Sequence, residues 1–227
     1  MSTTETIGGA TATDAWPESQ SLVAHARVLM RYSGPQFIAA FLVGAIALRV
    51  AIGGFSWRDL IGPAVILALE PFIEWMIHVF LLHFRPKTVR GRVIDPLVSR
   101  KHRAHHIDPR DLELVLVPTK VLRIALPVAA LIVALVGRSG PGVSTLAAAY
   151  AMLLTYEWTH FLIHSKYRPR HAYYRLIWRH HRNHHFRNEH YWFGVTVDFG
   201  DRVLRTAPAR DAVPVSPTAK NLAAGWD

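Results

Sequence analysis

The chain contains no cysteine among its 227 residues. Disulfides, thiolate zinc sites, cysteine-ligated iron–sulfur clusters, thiolate haem and cysteine nucleophiles are therefore all excluded. Any bound metal must be held by histidine, carboxylate or backbone oxygen atoms. Histidine, by contrast, is abundant, with 14 residues. The arrangement of these histidines therefore decides which metal chemistry is open to the chain.

Acidic residues are also scarce relative to basic ones. The 26 lysines and arginines outnumber the 16 aspartates and glutamates, which gives a formal net charge of +10. Such a charge is typical of proteins that bind nucleic acid or an anionic surface. The sequence has no recognition-helix or zinc-finger pattern, so we expect no nucleic-acid partner. The long apolar segments offer a better explanation of the charge.

Four apolar segments approach the length of a membrane span, for which a helix needs about 20 residues. They cover residues 37–55, 60–82, 124–137 and 143–163. The third is marginal, because it reaches a full span only if it begins at Thr119 and the side chains of Lys120 and Arg123 reach back to the interface. A buried or re-entrant helix is the alternative for that segment.

The distribution of cations supports a four-span topology. If both termini lie on one side, the far side holds only Arg49, Arg58 and Arg138, and the other 23 lysines and arginines fall on the near side. The positive-inside rule makes the near side cytoplasmic. We predict an all-α integral membrane protein with about four transmembrane helices in two hairpins, turning at residues 56–59 and 138–142. A histidine-rich helical cap would lie on the cytoplasmic side.

The two ends of the chain lack the apolar periodicity of folded elements. Residues 1–20 are rich in threonine, glycine and alanine and do not pair a basic start with an apolar core, so we expect a disordered tail and no secretory signal. Residues 206–227 are expected to form a flexible C-terminal tail. Residues 21–205 would then form a single membrane-embedded catalytic domain.

Ten of the fourteen histidines fall into four spaced clusters. Two clusters, spaced HxxxxH and HxxxH, end the second and fourth apolar segments, and an HxxHH triplet follows each of them along the chain. The clusters are His78 and His83; His102, His105 and His106; His160 and His164; and His181, His184 and His185. Residues at i, i+3 and i+4 share one helix face, so each triplet is expected to present its imidazoles together. His83 would join His78 only at an unwound or bent helix end.

Ten imidazoles exceed the four to six ligands, roughly, that one zinc or non-haem iron ion takes. Two metal ions therefore fit better than one, and all-nitrogen ligation favours iron, zinc or copper. A single HxxHH is usually no more than an exposed polar stretch. Four clusters at one predicted membrane face together indicate a metal centre. The remaining histidines, His25, His171, His180 and His190, are expected not to be ligands.

Three glutamates lie inside predicted spans, where charge is costly and usually functional, and Glu70, which precedes Pro71, is expected to mark a kink. Glu74 precedes His78 by one helical turn, and Glu157 precedes His160 by three residues. We expect each to accept a proton from the outer ring nitrogen of a ligating histidine and so fix its tautomer. Pairing with nearby arginines, in a purely structural role, is the alternative.

The ordered series HxxxxH, HxxHH, HxxxH and HxxHH resembles the integral-membrane fatty acid hydroxylase/sterol desaturase superfamily. The resemblance runs from about Glu70 to Arg205, and the segment HYWFGVTVDFGDRVLRT at residues 190–206 is similar to the one that follows the last histidine cluster there. The carotenoid ring hydroxylase branch is similar too, but its third cluster usually has a wider spacing. The HxxxH spacing therefore favours the lipid and sterol hydroxylases.

The resemblance implies a dinuclear centre, normally of two iron ions with zinc as a substitute, whose ligands are the ten clustered histidines. Such enzymes use dioxygen and two electrons to oxidise an unactivated C–H bond of a fatty acyl, sphingolipid or sterol lipid, and the metals carry the chemistry. The sequence shows no fused cytochrome domain. A separate ferredoxin or b-type cytochrome is therefore the expected electron donor, docking on the basic cytoplasmic face.

Three other functions remain open on the sequence. A lipid desaturase could use the same centre, and the residues do not distinguish it from a hydroxylase. A histidine-rich metal transporter would need polar residues through all spans, yet the first and third have none that suit a cation. A zinc membrane hydrolase would need a general base, as in HExxH, which is absent.

Overall fold

The computed structural model describes residues 16–136 and 139–224, which form a mostly helical protein. The N-terminal tail up to residue 15, Gly137 and Arg138 of the predicted second turn, and residues 225–227 lie outside this part. The helices are α1 Leu22–Leu29, α2 Ser33–Ile52, α3 Arg58–Met76, a π-helical continuation Ile77–Leu82, α4 Leu97–Ile107, α5 Leu112–Val115, α6 Thr119–Val136, α7 Gly140–His164, α8 Ala172–Phe186, α9 Phe199–Val203 and a 3-10 turn Arg210–Ala212.

Among the described residues, three helical stretches are long and apolar enough to cross a membrane. They are Ser33–Ile52, Arg58–Leu82 and Leu112–Val136, of 20, 25 and 25 residues. The third predicted segment lies in α6, which begins at Thr119, and the spanning stretch adds residues 112–118 before it. The fourth predicted segment lies in α7, which has 25 residues but is not one of these three stretches. Its sequence carries serine, threonine, tyrosine, glutamate and histidine side chains.

Helix α7 lies at the centre of the helical bundle and packs mainly against α2 and α3. One core cluster joins it to α2 and α6 through Ile38, Leu122, Leu126 and Tyr150, and the Tyr150 hydroxyl donates to the Leu126 carbonyl over 2.7 Å. The opposite faces of the outer helices expose large apolar side chains. These include Val43, Leu67, Ile124 and Leu131, each more than half exposed. Such a surface is what lipid would cover in a membrane protein.

A buried ion pair joins three helices at the end of the bundle remote from the histidines. Arg49 Nε of α2 lies 2.5 Å from Asp59 Oδ1 of α3, and the Ser144 hydroxyl of α7 donates to the same oxygen over 2.7 Å. Arg49 also donates to the Gly53 carbonyl over 2.6 Å. The two charges are thereby paired away from solvent, which links α2, α3 and α7 at this end of the bundle.

The cap at the other end contains α4, α5, α8 and α9, as the helical prediction implies. It also contains a short antiparallel hairpin that the all-α prediction did not include. Its strands are β1 Lys87–Val89 and β2 Arg92–Ile94, with Thr88 opposite Val93. Arg90 and Gly91 make the turn with φ values of 50° and 75°. Positive φ at both positions is the requirement of a tight hairpin turn, and glycine meets it without strain.

The prediction of a flexible C-terminal tail is wrong for residues 206–224. Val213, Ala219 and Leu222 are buried, and backbone hydrogen bonds tie the segment to the loop after α8. The N-terminal prediction also fails at its last residues, because the Trp16 indole donates to the Arg110 carbonyl over 2.7 Å and the Gln20 amide donates to the Lys166 carbonyl over 3.0 Å. In both cases a few apolar or amide side chains, without periodicity, anchor an otherwise polar segment to the cap.

Candidate metal centre

The structure brings all ten clustered histidines together in two groups of five. Within each group the candidate ligand atoms lie within 4.8 Å of one another. The first group is His78, His83, His102, His106 and His184, and the second is His105, His160, His164, His181 and His185. Nine of the ten residues are buried, and His83 is half-buried.

The two groups do not follow the sequence clusters. Each HxxHH triplet gives its outer two histidines to one group and its middle histidine to the other, so His105 and His184 cross over. The expectation that each triplet presents three imidazoles together is therefore wrong. Adjacent helical residues are about 100° apart around the axis, so positions i+3 and i+4 diverge to opposite sides of position i. The divergence lets α4 and α8 each contribute to both groups.

The HxxxxH spacing is accommodated by the π-helical segment Ile77–Leu82. The His83 amide donates to the His78 carbonyl over 3.1 Å, which is the i→i+5 bond of a π-turn. This bond brings side chains five residues apart onto nearly the same face, and the two imidazole centroids are 5.1 Å apart. The expected distortion of the helix end is thus a π-turn.

Backbone carbonyls fix the orientation of four imidazoles. The Nδ1 atoms of these histidines lie 2.6–2.8 Å from a carbonyl oxygen, so each Nδ1 carries the proton and donates. The pairs are His78 with Phe193, His106 with Ala219, His160 with Val115 and His184 with Tyr191. In the neutral ring each Nε2 is then left with a lone pair that faces into the centre.

The facing Nε2 atoms make a donor set that fits metal ions. Six Nε2–Nε2 pairs lie 3.0–3.2 Å apart within the two groups. His78 and His106, both protonated at Nδ1, turn lone pairs toward His102 from two sides, and a cation can satisfy all three. Two nitrogens about 2.1 Å from one ion, at right angles, are about 3 Å apart, so the spacing suits transition-metal ligation. Ten imidazoles in two groups, nine of them buried, therefore fit a pair of iron, zinc or copper ions.

Burial keeps the imidazoles of the cap neutral. It lowers the pKa of His106 to about 4, and burial next to other imidazoles holds the pKa values of His102, His105, His181, His184 and His185 well below the usual range. Neutral imidazole is the form that binds metal. At neutral pH these six side chains therefore need not lose a proton before they bind an ion.

Glu74 is not bonded to an imidazole, contrary to the sequence-based expectation. Its carboxylate accepts the amides of Val195 and Thr196 over 2.7 and 3.1 Å, and the Thr196 hydroxyl over 2.6 Å. The outer nitrogen of His78 is held by the Phe193 carbonyl, two residues before Val195. Residues at i and i+4 share one helix face, and the 193–196 loop supplies the partners of both side chains, so the Phe193 carbonyl takes the imidazole proton that Glu74 was expected to accept. Glu74 therefore acts on His78 only through this loop.

Glu157 departs from the expectation in the same way. Its Oε1 accepts the Val117 amide over 2.9 Å, whereas the outer nitrogen of His160 is held by the Val115 carbonyl over 2.8 Å. Among the described residues, neither glutamate is paired with an arginine, so the structural alternative is not observed either. Both glutamates instead receive backbone N–H groups of the segments that hold the histidines.

Asp201 in α9 completes the support of the 193–196 loop. It accepts the amides of Phe193 and Gly194 over 3.1 and 2.6 Å, and His180 Nε2 lies 2.9 Å from its carboxylate. Burial alone would raise the pKa of Asp201, but the hydrogen bonds from His180 and its other donors lower it. His180 thus supports the loop without belonging to either histidine group. His25, His171 and His190 also lie outside both groups.

Three residues that sequence reasoning missed act through their backbone. Val115, Tyr191 and Ala219 supply carbonyl oxygens, and no side-chain pattern signals a carbonyl group. Phe193 and Asp201 lie in the segment at 190–206 whose resemblance to the superfamily was apparent. That resemblance indicated the segment without indicating its role.

Comparison with known proteins agrees with the histidine pattern. The sequence model of the fatty acid hydroxylase family matches residues 63–206. Two dihydroceramide fatty acyl 2-hydroxylases of Arabidopsis thaliana are 27% and 30% identical, over 72% and 62% of this chain and 62% and 58% of their own lengths. A ceramide very long chain fatty acid hydroxylase of Saccharomyces cerevisiae is 30% identical over 62% of this chain and 36% of its own length.

The fold agrees as well. A solved structure of full-length Scs7p, in which only the hydroxylase domain is visible, superposes with a TM-score of 0.59 at 24% identity, over 77% of this chain and 65% of that one. The chain spans less than two thirds of the length of each curated relative. The family match itself covers more than half of the chain and all four histidine clusters. The superfamily resemblance is confirmed, and the chain belongs to the fatty acid hydroxylase family.

Proposed function

We propose that this chain is a membrane-bound, dioxygen-dependent dinuclear iron hydroxylase that acts on a fatty acyl chain of a ceramide-type lipid. The observation that carries the proposal is the pair of buried five-histidine groups. The substrate class follows the curated relatives, which are named as ceramide or dihydroceramide fatty acyl hydroxylases. The reaction converts a C–H bond to C–OH and consumes one dioxygen, two electrons and two protons, with water as the other product.

The chain's own residues would bind, orient and shield the centre. The ten histidines would hold two iron ions, which supply the redox chemistry with dioxygen when bound. The carbonyls of Phe193, Ala219, Val115 and Tyr191 hold four imidazoles with their lone pairs inward. The apolar ring of Phe193, only 5% exposed, packs against His78, His83 and His184 and would keep water from the first group. Dry surroundings favour attack on the acyl chain over side reactions with solvent.

We also propose the four-span arrangement, with the termini and the centre on the cytoplasmic side. Helix α7 supports it, because 25 helical residues extend about 37 Å, enough for the hydrocarbon core. His78 and His160 both lie near the ends of α3 and α7 that meet the cap, on the side where cationic residues concentrate. An acyl chain could then reach the centre from the membrane leaflet without entering water.

The electron donor is proposed to be a separate acidic redox protein of the ferredoxin or b-type cytochrome class. A cavity of about 810 Å³ on the cap reaches His164 of the second group and is lined by Arg110, Arg168 and Arg182. Burial lowers the pKa of Arg182, and the nearby positive charge of Arg110 lowers it further. An acidic partner would relieve this repulsion, and its docking should weaken as salt is raised.

The proposal is tested by metal content and lipid products together. Protein purified in detergent is expected to hold about two iron ions per chain, and cells that express it should accumulate ceramides one oxygen heavier in the acyl chain. The variant His105→Ala/His184→Ala should lose both the metal and the product while it still inserts into membranes. His171→Ala is the matched control, because His171 is exposed and belongs to neither group.

Three outcomes would contradict the proposal. Wild-type protein with one ion or none would argue against a dinuclear centre. Acyl chains that lose two hydrogens without gaining oxygen would identify a desaturase on the same site. Retained hydroxylation in the double variant would show that His105 and His184 are not required as metal ligands.

A further inference from the structure

The C-terminal segment closes over the first histidine group. We call residues 213–222 the C-terminal strap. The Ala219 carbonyl at its centre accepts from His106 Nδ1 over 2.8 Å, and Ala219 is 2% exposed. The family match ends at residue 206, so the strap lies beyond it. An element outside the matched region therefore orients one of the ten clustered histidines.

The strap is anchored first to the end of α8. Arg187 Nε donates to the Val213 carbonyl over 2.7 Å, and the Ser216 amide donates to the Arg187 carbonyl over 2.7 Å. Arg187 is the C-cap of α8, two residues after His185. These two bonds fix the start of the strap to the helix that supplies the second triplet.

Glu189 makes the second and more specific attachment. Its Oε1 accepts the hydroxyls of Ser216, over 3.0 Å, and Thr218, and the Thr218 amide in turn donates to the Ser216 hydroxyl over 3.2 Å. The Glu189 side chain is only 4% exposed. A buried carboxylate bonded to two hydroxyls of a segment without secondary structure fixes that segment's conformation. Thr218 immediately precedes Ala219, so the attachment sets where the Ala219 carbonyl points.

A path of contacts therefore runs from Glu189 through Thr218 and Ala219 to His106. His106 Nε2 in turn lies 3.2 Å from His102 Nε2. The direction of the His106 lone pair depends on the Ala219 carbonyl, because a hydrogen bond at one ring nitrogen sets the tautomer and the ring orientation. In the second group, by contrast, His105, His181 and His185 have buried Nδ1 atoms without a hydrogen-bond partner among the described residues. Among the described residues, the hydrogen bonds of the strap reach one clustered imidazole, that of His106 in the first group.

We propose that Glu189, Ser216 and Thr218 are positioning residues for the metal ion of the first histidine group, acting through the Ala219 carbonyl and His106. The proposal rests on the dinuclear function proposed above. It assigns a role to a segment for which the sequence predicts only a flexible tail. Loss of the two hydroxyls should free the Ala219 carbonyl, and His106 could then rotate away from the ion or present its protonated nitrogen.

The test measures release of metal, separately from catalysis. The full chain in detergent, loaded with Fe²⁺ in the absence of oxygen, is mixed with excess chelator and the release of iron is followed in time. Wild-type protein should release two ions slowly. In Ser216→Ala/Thr218→Val, one of the two ions should leave at least about tenfold faster while the other keeps its wild-type rate, because outer hydrogen bonds typically contribute this much to affinity.

Two further variants separate positioning from general loosening. Thr218→Ser keeps the hydroxyl and should release iron as the wild type does. Thr155→Val removes an exposed hydroxyl that bonds only within α7, and it should also behave as the wild type. Release of both ions at unchanged rates in the double variant, or equal acceleration of both, would overturn the proposal. Wild-type protein that holds fewer than two ions would instead contradict the dinuclear function itself.

Discussion

Glu74 and Glu157 occupy equivalent positions around the two histidine groups. Each accepts a backbone amide two residues after the carbonyl that holds a histidine: Val195 after Phe193 for His78, and Val117 after Val115 for His160. The two glutamates lie on different helices and serve different groups. The two halves of the site are therefore built on one plan, in which a buried carboxylate fixes a loop and the loop fixes an imidazole.

The plan predicts unequal effects for the two glutamates. Both Glu74 oxygens accept hydrogen bonds, whereas Glu157 uses only Oε1 and its Oε2 has no partner among the described residues. Glutamine keeps one acceptor oxygen and adds a donor. Glu74→Gln should therefore weaken metal binding about 10- to 100-fold and Glu157→Gln by less. Chelator competition measures both affinities, with Glu113→Gln, an exposed glutamate, as the control. A larger loss in Glu157→Gln would contradict the plan.

The split of the triplets predicts which histidine substitutions act on the same ion. His184 and His83 belong to one group, whereas His184 and His185, neighbours in sequence, belong to different groups. His83→Ala/His184→Ala should therefore retain about one ion per chain, and His184→Ala/His185→Ala should retain none. Metal analysis of the two purified double variants measures the difference. If the triplets acted as units, His184→Ala/His185→Ala would keep the ion of the other group.

Sequence reasoning identified the ten histidines because spacing and composition report side chains, and side chains are what a metal site selects. It missed the crossing of His105 and His184, since that depends on how α4 and α8 lie against each other. It misplaced the bonds of Glu74 and Glu157, because the carbonyls of Phe193 and Val115 compete for the same imidazole protons and carry no sequence signal. It also mistook residues 206–224 for a tail, since a few buried side chains such as Ala219 hold them without periodicity.

We predict that the metal-free protein loses stability between about pH 6.5 and pH 4, a range over most of which exposed carboxylates are still largely ionised. Burial lowers the pKa of His106 from 6.5 to about 4, so the unfolded chain binds protons at a pH where the folded chain does not. Stability is then full above about pH 6.5 and declines as the pH falls toward 4, by about 3 kcal/mol for His106 alone. The neighbouring imidazoles, whose pKa values shift the same way, add to the decline.

Thermal unfolding of metal-free protein in detergent, measured from pH 7.5 to 4.5, tests this prediction. The midpoint should fall steadily below pH 6.5, and His171→Ala, which removes an exposed histidine, should leave the slope unchanged. A midpoint independent of pH over this interval would show that the imidazoles are not kept neutral by burial. Bound metal should flatten the upper part of the curve, because protons must then displace the ion.

Helix α9 packs closely against α3 at Gly200, so a larger residue at this position should destabilise the protein. A Cβ atom at Gly200 would lie 2.3 Å from the Pro71 carbonyl oxygen, which is backbone and cannot turn aside. Gly200→Ala should force α9 outward and shift Asp201, the next residue, which accepts the Phe193 amide. We expect a loss of about 1–3 kcal/mol in unfolding free energy, as is typical of overpacking, and weaker metal binding through His78.

Gly44→Ala is the control, because a Cβ there meets nothing within 4 Å. In α2 alanine should be neutral or stabilising by up to about 1 kcal/mol. Thermal unfolding and chelator competition on both variants decide the matter, and equal behaviour of the two would show that the contact between α9 and α3 does not support the site.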